Sequence, residues 1–539
     1  MKLMKKKSLG ILALTSLMLV GCGEKTSDKV TEDKSTIDPN KQIVVTWWNN
    51  YTKPDASKTE EENRKNKNYF EYYYAKDLIA EFEKVHPNIK IDSQDKGKYN
   101  KIADAIKEGM ATGNFPTIAS TYQDNVATYV DNEISYDMTA FAAELEKDSD
   151  FNQNYLSIEK GCFNGKYYSL PYSKSGETLA INQSVFDLEG AGKAGEDTTK
   201  KVTGKDGKES TVAVYTAPVA KDTKTKYNVP ENFYDMIEVA RKMKADFPDL
   251  FKNQRDEKGY FKAVPFCWDS SENMFISLLK NAGIAYTNGN GADAVAKNAW
   301  YSDEAKTLMM QIKKWNNEGL IATQNQLPIT DETNGYHEYS SNMVTKGTIF
   351  MAVSSTAGAS YFATNGGFKA SLNHAMNWKA GTKAKDAKVI SQGPSLTFFR
   401  NKDNDVNKAA FEFYKFLTNT ENSAKLAVTK AYFPLRETSY KTETVKALTD
   451  AAGTTDAKGA YKAKYNDYTG QALKLNETYT SENAYFMSDV FVGSAETRTA
   501  VGKLVKDIFD AKPEDTDTDV KLKAVVDKAF NDAKTALLA

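Results

Sequence analysis

The sequence predicts an α/β protein with more than one lobe. The chain has 539 residues, which is long for a single hydrophobic core. Short β-branched runs alternate with amphipathic helical segments along most of it, beginning at Ile43 to Trp48. Strands that alternate with helices in this way are typical of βαβ units around a mostly parallel sheet.

The first 22 residues have the layout of an export signal. Lysines at positions 2 and 5–7 precede an apolar run from Leu9 to Val20, which is shorter than the roughly 20 residues of a membrane-spanning helix. The end of this run and the two residues after it, Leu19-Val20-Gly21-Cys22, resemble the bacterial lipobox. The resemblance implies cleavage before Cys22 and a diacylglycerol on its sulfur. We therefore expect a signal peptide at 1–21 and a protein anchored by lipid at the extracellular face of the cell membrane. An ordinary signal peptide with a chance cysteine is the alternative.

Residues 22–42 are expected to form a disordered tether between the lipid and the folded body. Gly23 to Lys41 is rich in Lys, Asp, Glu, Ser and Thr and has almost no large apolar side chain. Such a segment cannot bury enough apolar surface to fold.

The first part of the folded chain alternates strands and helices. A helix before Pro87 is supported by Leu78, Ile79 and Phe82, which recur at helical spacing, and by the proline that ends it. In chain order the predicted elements are a strand at Ile43 to Trp48, a helix at Ala75 to Lys84, a strand at Asn88 to Ile91, a helix at Tyr99 to Ala111 and a strand at Phe115 to Ser120.

The middle of the chain contains two extended segments followed by an insertion. Lys166 to Tyr172 and Thr178 to Asn182 are both strand-like, with Gly176 between them. Residues 188–228 then change character and become rich in Gly, Lys, Asp and Thr. Asp206-Gly207, flanked by strand-like residues, suggests a protruding hairpin within this insertion.

The rest of the chain is predicted to be mainly helical, with two further strands. The strands are Ala263 to Trp268 and Gly347 to Val353. The helices are Pro230 to Ala245, Met274 to Ala282, Asp303 to Asn316, Val406 to Leu417, Glu421 to Val428, Thr497 to Phe509 and Asp519 to Leu538.

Charge and composition exclude several classes of function. Lys plus Arg number 71 and Asp plus Glu 72, so no strong field points to nucleic acid or anionic lipid. The three histidines are scattered, which leaves little material for a histidine metal site or a catalytic triad. Cys162 and Cys267 each precede an aromatic residue in an apolar stretch, which favours two separately buried thiols, although a disulfide between them stays open.

Motifs for chemistry are absent from the sequence. It contains no P-loop, no GxSxG elbow, no HExxH helix and no dinucleotide fingerprint. Residues 515–519 begin like a calcium loop, but Val520 and Val526 stand where the turn glycine and the bidentate acid belong, so acidic residues that cap the last helix are the favoured reading. We expect no metal and no cofactor. Paired carboxylates of a glycoside hydrolase stay open.

Aromatic and polar residues fall together just past several predicted strands. Ligands of open α/β sheets bind outside the carboxyl ends of the strands. Sugars need flat apolar faces for their C–H surfaces and planar amides, carboxylates or arginine for their hydroxyls. For each tryptophan, burial in the core is the alternative. The candidate ligand-binding residues are Trp47, Trp48, Asn49, Tyr122, Asp124, Trp268, Asp269 and Ser355.

The order of segments resembles the family 1 extracellular solute-binding proteins of bacterial ABC importers, which include the maltodextrin-binding proteins. The residues that carry the resemblance are Leu78 to Ile91, Phe163 to Pro171, Val229 to Asp235, Lys346 to Met351, Ala409 to Leu417 and Tyr432 to Arg436. Three departures concern the ligand. The segment from Pro54 to Tyr74 is longer than usual, the insertion near Lys200 to Lys226 is also unusual, and Ser354-Ser355-Thr356 stands where many sugar binders carry a tryptophan.

The resemblance implies the type II fold of periplasmic binding proteins, with two lobes joined by a hinge that the chain crosses several times. Lobe I would comprise 43–170 plus 393–437, and lobe II 171–392 plus 438–539. The crossings would lie near Leu170 to Ser175, near Val389 to Gly393 and after Arg436. Ligand would bind between the lobes and hold them closed. Arg436 is a further candidate contact, with an ion pair near a helix end as its alternative.

The implied function is that of a monomeric receptor, not an enzyme, which delivers a carbohydrate to an ABC permease. An oligosaccharide is the first choice of ligand. Two alternatives stay open. One is a binder of a charged solute such as glycerol phosphate or a peptide, which an Arg/Lys-lined cleft would favour. The other is a surface glycoside hydrolase.

Overall fold

A computed structural model describes residues 37–187, 198–203, 209–214, 227–289, 299–333, 335–362, 370–452 and 467–538. The expected signal peptide, Cys22 and nearly all of the tether lie outside these residues. From Ile37 onward the chain forms one compact unit. None of the helices among the described residues is long and apolar enough to cross a membrane.

The sequence predicted nine of the sixteen strands in the described residues and missed those at 321–323, 329–331, 336–337, 370–373, 389–390, 395–398 and 485–486; all sixteen follow in chain order. They are β1 (Ile43–Asn49), β2 (Ile89–Asp95), β3 (Ile118–Thr121), β4 (Ser169–Pro171), β5 (Glu177–Asn182), β6 (Thr198–Thr203), β7 (Glu209–Val214), β8 (Val264–Trp268), β9 (Ile321–Thr323), β10 (Ile329–Asp331), β11 (Tyr336–His337), β12 (Ile349–Ser355), β13 (Ala370–Asn373), β14 (Val389–Ile390), β15 (Ser395–Phe398) and β16 (Tyr485–Phe486).

The helices surround the sheets. They are α1 (Glu60–Arg64), α2 (Phe70–Val85), α3 (Tyr99–Thr112), α4 (Val126–Asp131), α5 (Thr139–Lys147), α6 (Gln153–Cys162), α7 (Gln183–Asp187), α8 (Phe233–Asp246), α9 (Pro248–Phe251), α10 (Ser271–Ala282), α11 (Asp303–Asn317), α12 (Ser340–Thr345), α13 (Asn404–Leu417), α14 (Thr420–Lys430), α15 (Glu443–Ala451), α16 (Asp467–Ser481), α17 (Ser494–Asp510) and α18 (Asp519–Ala536).

Side-chain caps fix where several helices begin. Ser270 accepts a hydrogen bond from a backbone N–H in the first turn of α10, and Asn419 does the same for α14. At α18 the cap is Thr518, and Asp519 lies in the first turn. This is the capping role expected for the acidic stretch at 515–519, because a carboxylate near a helix N-terminus is favourable.

Two five-stranded sheets define two lobes. The first lobe is built on the order β2-β1-β3-β15-β4, and the second lobe on the order β13-β5-β12-β8-β9. In the first lobe, residues of β1 pack against α2 and α13, as in the contact of Trp47 with Phe413. In the second lobe, residues of β8 and β12 pack against α8, α10, α17 and α18. The expected α/β fold with two lobes is confirmed.

Each sheet is mostly parallel, as the sequence predicted, but contains one reversed strand. Strand β15 runs opposite to its neighbours β3 and β4, and β5 runs opposite to its neighbours β12 and β13. Both are the strands through which the chain enters a lobe from the other one. Because they enter at the edge where the parallel strands leave, the starts of β5 and β15 lie beside the ends of β12 and β3.

Two segments of chain run side by side between the sheets. One joins β4 to β5 and the other joins β14 to β15, and Ser175 pairs with Gln392 in an antiparallel bridge. Gly393 has φ +86°, and a Cβ built there would stand 1.8 Å from the carbonyl oxygen of Ser173. Glycine is therefore required for the two segments to approach so closely.

A buried ion pair lies beneath this crossing. Lys174 Nζ is 3.0 Å from Glu159 Oε1, and both side chains are only 1% exposed. The ammonium also donates to Ser395 Oγ, and Gln123 and Ser169 donate to the carboxylate. The ion pair therefore links the segment between β4 and β5 to α6 and to Gln123, the residue that follows Tyr122.

The C-terminal part of the chain contributes to both cores. Val445 and Leu448 of α15 pack in the first-lobe core, and Val490 packs beside Trp48 and Tyr129. Helices α17 and α18 pack in the second-lobe core. The bounds 43–170 plus 393–437 and 171–392 plus 438–539 remain a prediction.

The insertion at 188–228 contains the expected antiparallel pair. Strand β6 pairs with β7 from Thr198↔Val214 to Thr203↔Glu209. The proposed turn at 206–207 lies outside the described residues. Cys162 and Cys267 are both buried free thiols, so the interpretation as two separate thiols is confirmed.

Candidate functional site

Three half-buried tyrosines, Tyr99, Tyr122 and Tyr432, lie close together in the first lobe, and we call them the tyrosine row. Tyr122 comes directly after β3, and Tyr99 starts α3; their ring centroids are 5.0 Å apart at an interplanar angle of 78°. Tyr432 follows α14 and lies close to Tyr99, as does Asn50, the residue after β1. Burial raises the pKa of all three phenols, so they are neutral hydroxyls that can both donate and accept.

An arginine from α17 meets this row of tyrosines. Arg498 Nε is 3.8 Å from Asp124 Oδ2, and Arg498 Nη2 donates to Asn273 Oδ1. The Glu272 carboxylate interacts electrostatically with the same guanidinium, and Tyr286 lies nearby. Burial raises the pKa of Asp124, while the Arg498 charge opposes that rise. The pair joins the end of β3 in the first lobe to α10 and α17 in the second.

The second-lobe wall holds two buried carboxyls. Glu177 begins β5 and accepts hydrogen bonds from Trp268 Nε1 at 3.0 Å and from Ser277 Oγ at 3.3 Å. Asp269 follows β8 and accepts from the backbone N–H of Ser340. Burial raises the pKa of Glu177 to about 7 and that of Asp269 to about 6. Ser355, at the end of β12, pairs in register with Glu177 and is half-buried.

These contacts bring together five of the predicted residues in two groups. Tyr122 and Asp124 stand with Arg498 at the first-lobe edge. Trp268 and Ser355 lie beside Glu177 at the second-lobe edge, where Asp269 directly follows Trp268, and Trp268 is packed in the core as well as bonded to Glu177. Asn273 connects the groups, because it contacts both Arg498 and Glu177.

The other candidate residues at the end of β1, Trp47, Trp48 and Asn49, are buried and contact neighbouring parts of the protein. Trp47 is fully buried among Tyr51, Tyr172 and Phe413 and donates to Ser120 Oγ. Asn49 is 1% exposed and bonds Ser93 Oγ and the backbone of Tyr51. Trp48 is 5% exposed beneath Lys96, whose Nζ is 4.4 Å from the ring centroid.

Arg436 forms an ion pair, which was the alternative to ligand binding for this residue. Its Nη1 lies 2.6 Å from Asp148 Oδ2 and 3.4 Å from Asp150 Oδ2, and its Nε donates to the carbonyl of Thr418. These contacts hold the chain after α14 against the loop before α6. Ligand binding by Arg436 stays a prediction, and none of these contacts supports it.

Several residues of the site were not found from the sequence, namely Asn50, Tyr99, Glu177, Glu272, Asn273, Tyr286, Tyr432 and Arg498. Arg498 carries a signal that could have been used: it is the fifth residue of α17, close to the helix N-terminus, where a cation is unfavourable unless something else holds it. The tyrosines come from separate segments and carry no such signal.

A groove of about 1110 Å³ lies elsewhere, on the second lobe alone. Its walls include Lys252, Arg255, Lys258 and Lys262. It contains none of the predicted residues and does not touch the first lobe, so we do not place the binding site there.

The chain belongs to the bacterial extracellular solute-binding proteins, since the model of that family matches residues 77–453. No curated protein matches the sequence. The family is one of binding proteins that act outside the cell.

Solved structures of the same fold cover nearly the whole chain. The cyclic alpha-maltosyl-1,6-maltose binding protein of Arthrobacter globiformis has a TM-score of 0.58 at 12% identity, over 92% of this chain and 98% of that one. UgpB of Mycobacterium tuberculosis, in complex with glycerophosphocholine, has 0.58 at 13%, over 92% and 97%. The substrate-binding protein Lmo0181 of Listeria monocytogenes, in complex with cycloalternan, has 0.57 at 14%, over 92% and 99%. At these identities the likeness concerns the fold.

Proposed function

We propose that this protein is a lipid-anchored receptor that captures a carbohydrate between its lobes and delivers it to an ABC importer. The observation that carries the proposal is the row of half-buried tyrosines that ends at the Asp124–Arg498 pair. Tyrosine faces suit the C–H surfaces of sugars, and their hydroxyls can bond sugar oxygens. An oligosaccharide is the preferred ligand, and the receptor acts as a monomer without changing its ligand chemically.

The Asp124–Arg498 pair suits hydroxyl groups because it is only partly satisfied. A guanidinium has five N–H donors, and the partners of Arg498 among the described residues are Asn273 and the carboxylate 3.8 Å away. That separation is longer than a hydrogen bond. Neighbouring hydroxyls of a sugar could therefore accept from Arg498 and donate to Asp124 at once.

Charge disfavours an anionic ligand at the same place. Arg498 faces both Asp124 and Glu272, so no positive charge is left over to balance a phosphate. Glycerol phosphate is nevertheless kept as an arm of the test, since one protein of this fold is complexed with glycerophosphocholine. Two others are named for a cyclic maltosyl-maltose and for cycloalternan, which are oligosaccharides.

Lipid anchoring rests on the lipobox at Leu19 to Cys22. We expect the wild-type chain in the membrane fraction of the expressing cells, labelled by radioactive palmitate. The Cys22→Ser variant should lose the label. Equal labelling of both chains would contradict the proposal.

Thermal unfolding of the chain that begins after Cys22 tests the ligand. The panel holds mono- and oligosaccharides, glycerol phosphate, glycerophosphocholine and short peptides. A ligand at 100 times its Kd stabilises the folded state by about 2.7 kcal/mol. Stabilisation by a saccharide that is recovered intact supports the proposal. Stabilisation by phosphates or peptides alone would refute the carbohydrate, and a cleaved saccharide would refute the receptor in favour of a glycoside hydrolase.

A further inference from the structure

A second recess lies beyond the far end of the tyrosine row. It has a volume of about 190 Å³, and both lobes contribute to it. Phe70 starts α2 of the first lobe, and Tyr361 belongs to the short 3-10 helix Thr356–Phe362 that follows β12 of the second. We call this recess the rim cavity; its walls include Lys67, Phe70, Tyr361, Thr429, Lys430 and Thr469.

The Glu71–Lys430 pair links the rim cavity to the tyrosine row. Lys430 lines the cavity, and its Nζ is 3.4 Å from Glu71 Oε2. Tyr432 lies on the other side of Glu71 and next to Tyr99. A continuous wall therefore runs from Tyr122 through Tyr99 and Tyr432 to Glu71 and the cavity.

Two oxygen atoms on this wall have no hydrogen-bond donor among the described residues. They are Glu71 Oε1 and Asn50 Oδ1, each with almost no accessible surface of its own. A buried acceptor without a donor destabilises the folded state. Burial accordingly raises the pKa of Glu71, even though Lys430 opposes the rise.

We propose that the rim cavity is a subsite for the terminal unit of an oligosaccharide, with Tyr361 as its stacking platform. The proposal rests on the carbohydrate function and adds the size of the ligand: one long enough to pass Tyr122, Tyr432 and Glu71 before it reaches Tyr361.

Exposure and size fit a sugar ring. Tyr361 is 44% exposed, which is high for a large aromatic residue, and Phe70 lines the same cavity. At about 30 Å³ per water, the cavity has room for roughly six waters, which is about the space of one pyranose with its hydroxyls. Lys67 and Thr469 supply polar groups at the same place. Helix α1 and the residues up to Phe70 belong to the long segment 54–74, so the proposal gives this segment a role in ligand binding.

Calorimetric titration with two saccharide series tests the subsite. The probes are the maltodextrins and the cellodextrins from disaccharide to hexaose. The wild type should bind the longer members of one series more tightly than its disaccharide. Tyr361→Ala should weaken the long members about 3- to 10-fold, the range expected for one lost aromatic contact, and leave the disaccharide unchanged. Tyr339→Ala is the control, because Tyr339 is 59% exposed and does not line the cavity.

Three results would overturn the subsite. They are equal affinity of wild type for short and long saccharides, equal weakening of both by Tyr361→Ala, and no weakening of either. In all three the carbohydrate function survives, because saccharides still bind. If neither series binds while a phosphate or peptide stabilises the protein, the carbohydrate function fails and the subsite fails with it.

Discussion

The buried Lys174–Glu159 pair predicts how strongly the crossing between the lobes depends on one charge. Lys174→Met removes the ammonium and leaves the carboxylate of Glu159 in a site where both side chains are 1% exposed. Gln123, Ser169 and Ser395 still contact that carboxylate. They carry no charge, so they offset only part of the cost of burying an anion.

The magnitude follows from what remains after each change. Breaking a buried ion pair on one side typically costs about 3–5 kcal/mol, because an uncompensated charge stays inside. Replacing both partners by neutral groups of similar size is often nearly neutral. We therefore expect Lys174→Met to lower the free energy of unfolding by about 3 kcal/mol or more. The double variant Lys174→Met, Glu159→Gln should recover most of that loss.

Urea unfolding of the four chains that form this double-mutant cycle provides the measurement. Tryptophan fluorescence reports the transition, because both lobes contain buried tryptophans. A loss below about 1 kcal/mol for Lys174→Met, or a double variant no better than the single one, would refute the reasoning.

Three further outcomes are expected. Asp124→Asn should weaken the saccharide found by thermal screening about 10-fold or more in calorimetry, because a charged hydrogen-bonding partner is lost, and an unchanged Kd would remove Asp124 from the site. Glu177→Gln should gain stability relative to wild type as the pH rises from about 4.5 to about 7, since the folded protein holds a proton there that the unfolded chain releases; a Tm difference that does not change with pH would contradict this. Cys162 and Cys267 should react with Ellman's reagent only after unfolding, and together give two thiols per chain that starts after Cys22.

The strand-end argument found part of the candidate site because it depends on local sequence. Tyr122 and Asp124 directly follow β3, and Asp269 directly follows β8, so a predicted strand was enough to place them at the cleft edge. Trp47 shows the limit of that argument. It is in phase with Ile43 and Val45, the buried face of β1, and this alternation indicates the core.

The remaining site residues could not be placed because they come together only in the folded chain. Arg498 reaches Asp124 from a helix that starts almost four hundred residues later. Arg436 meets Asp148 and Asp150 across 288 and 286 residues of sequence, and neither partner is marked by a motif. The reversal of β5 and β15 was also missed, since the direction of a strand in a sheet depends on the route of the chain between lobes.

The interleaved route of the chain has a consequence for biogenesis. The second sheet is complete once residue 373 has been made, but the first sheet waits for β15, and the second core waits for α17 and α18. The first lobe therefore cannot finish folding before residue 398 has left the export channel, and the second lobe cannot finish before almost the whole chain has left it. Contacts this distant in sequence form slowly. A truncation near the C-terminus would accordingly damage the lobe whose sheet is assembled first, and leave an exported chain with apolar surface exposed to extracellular proteases.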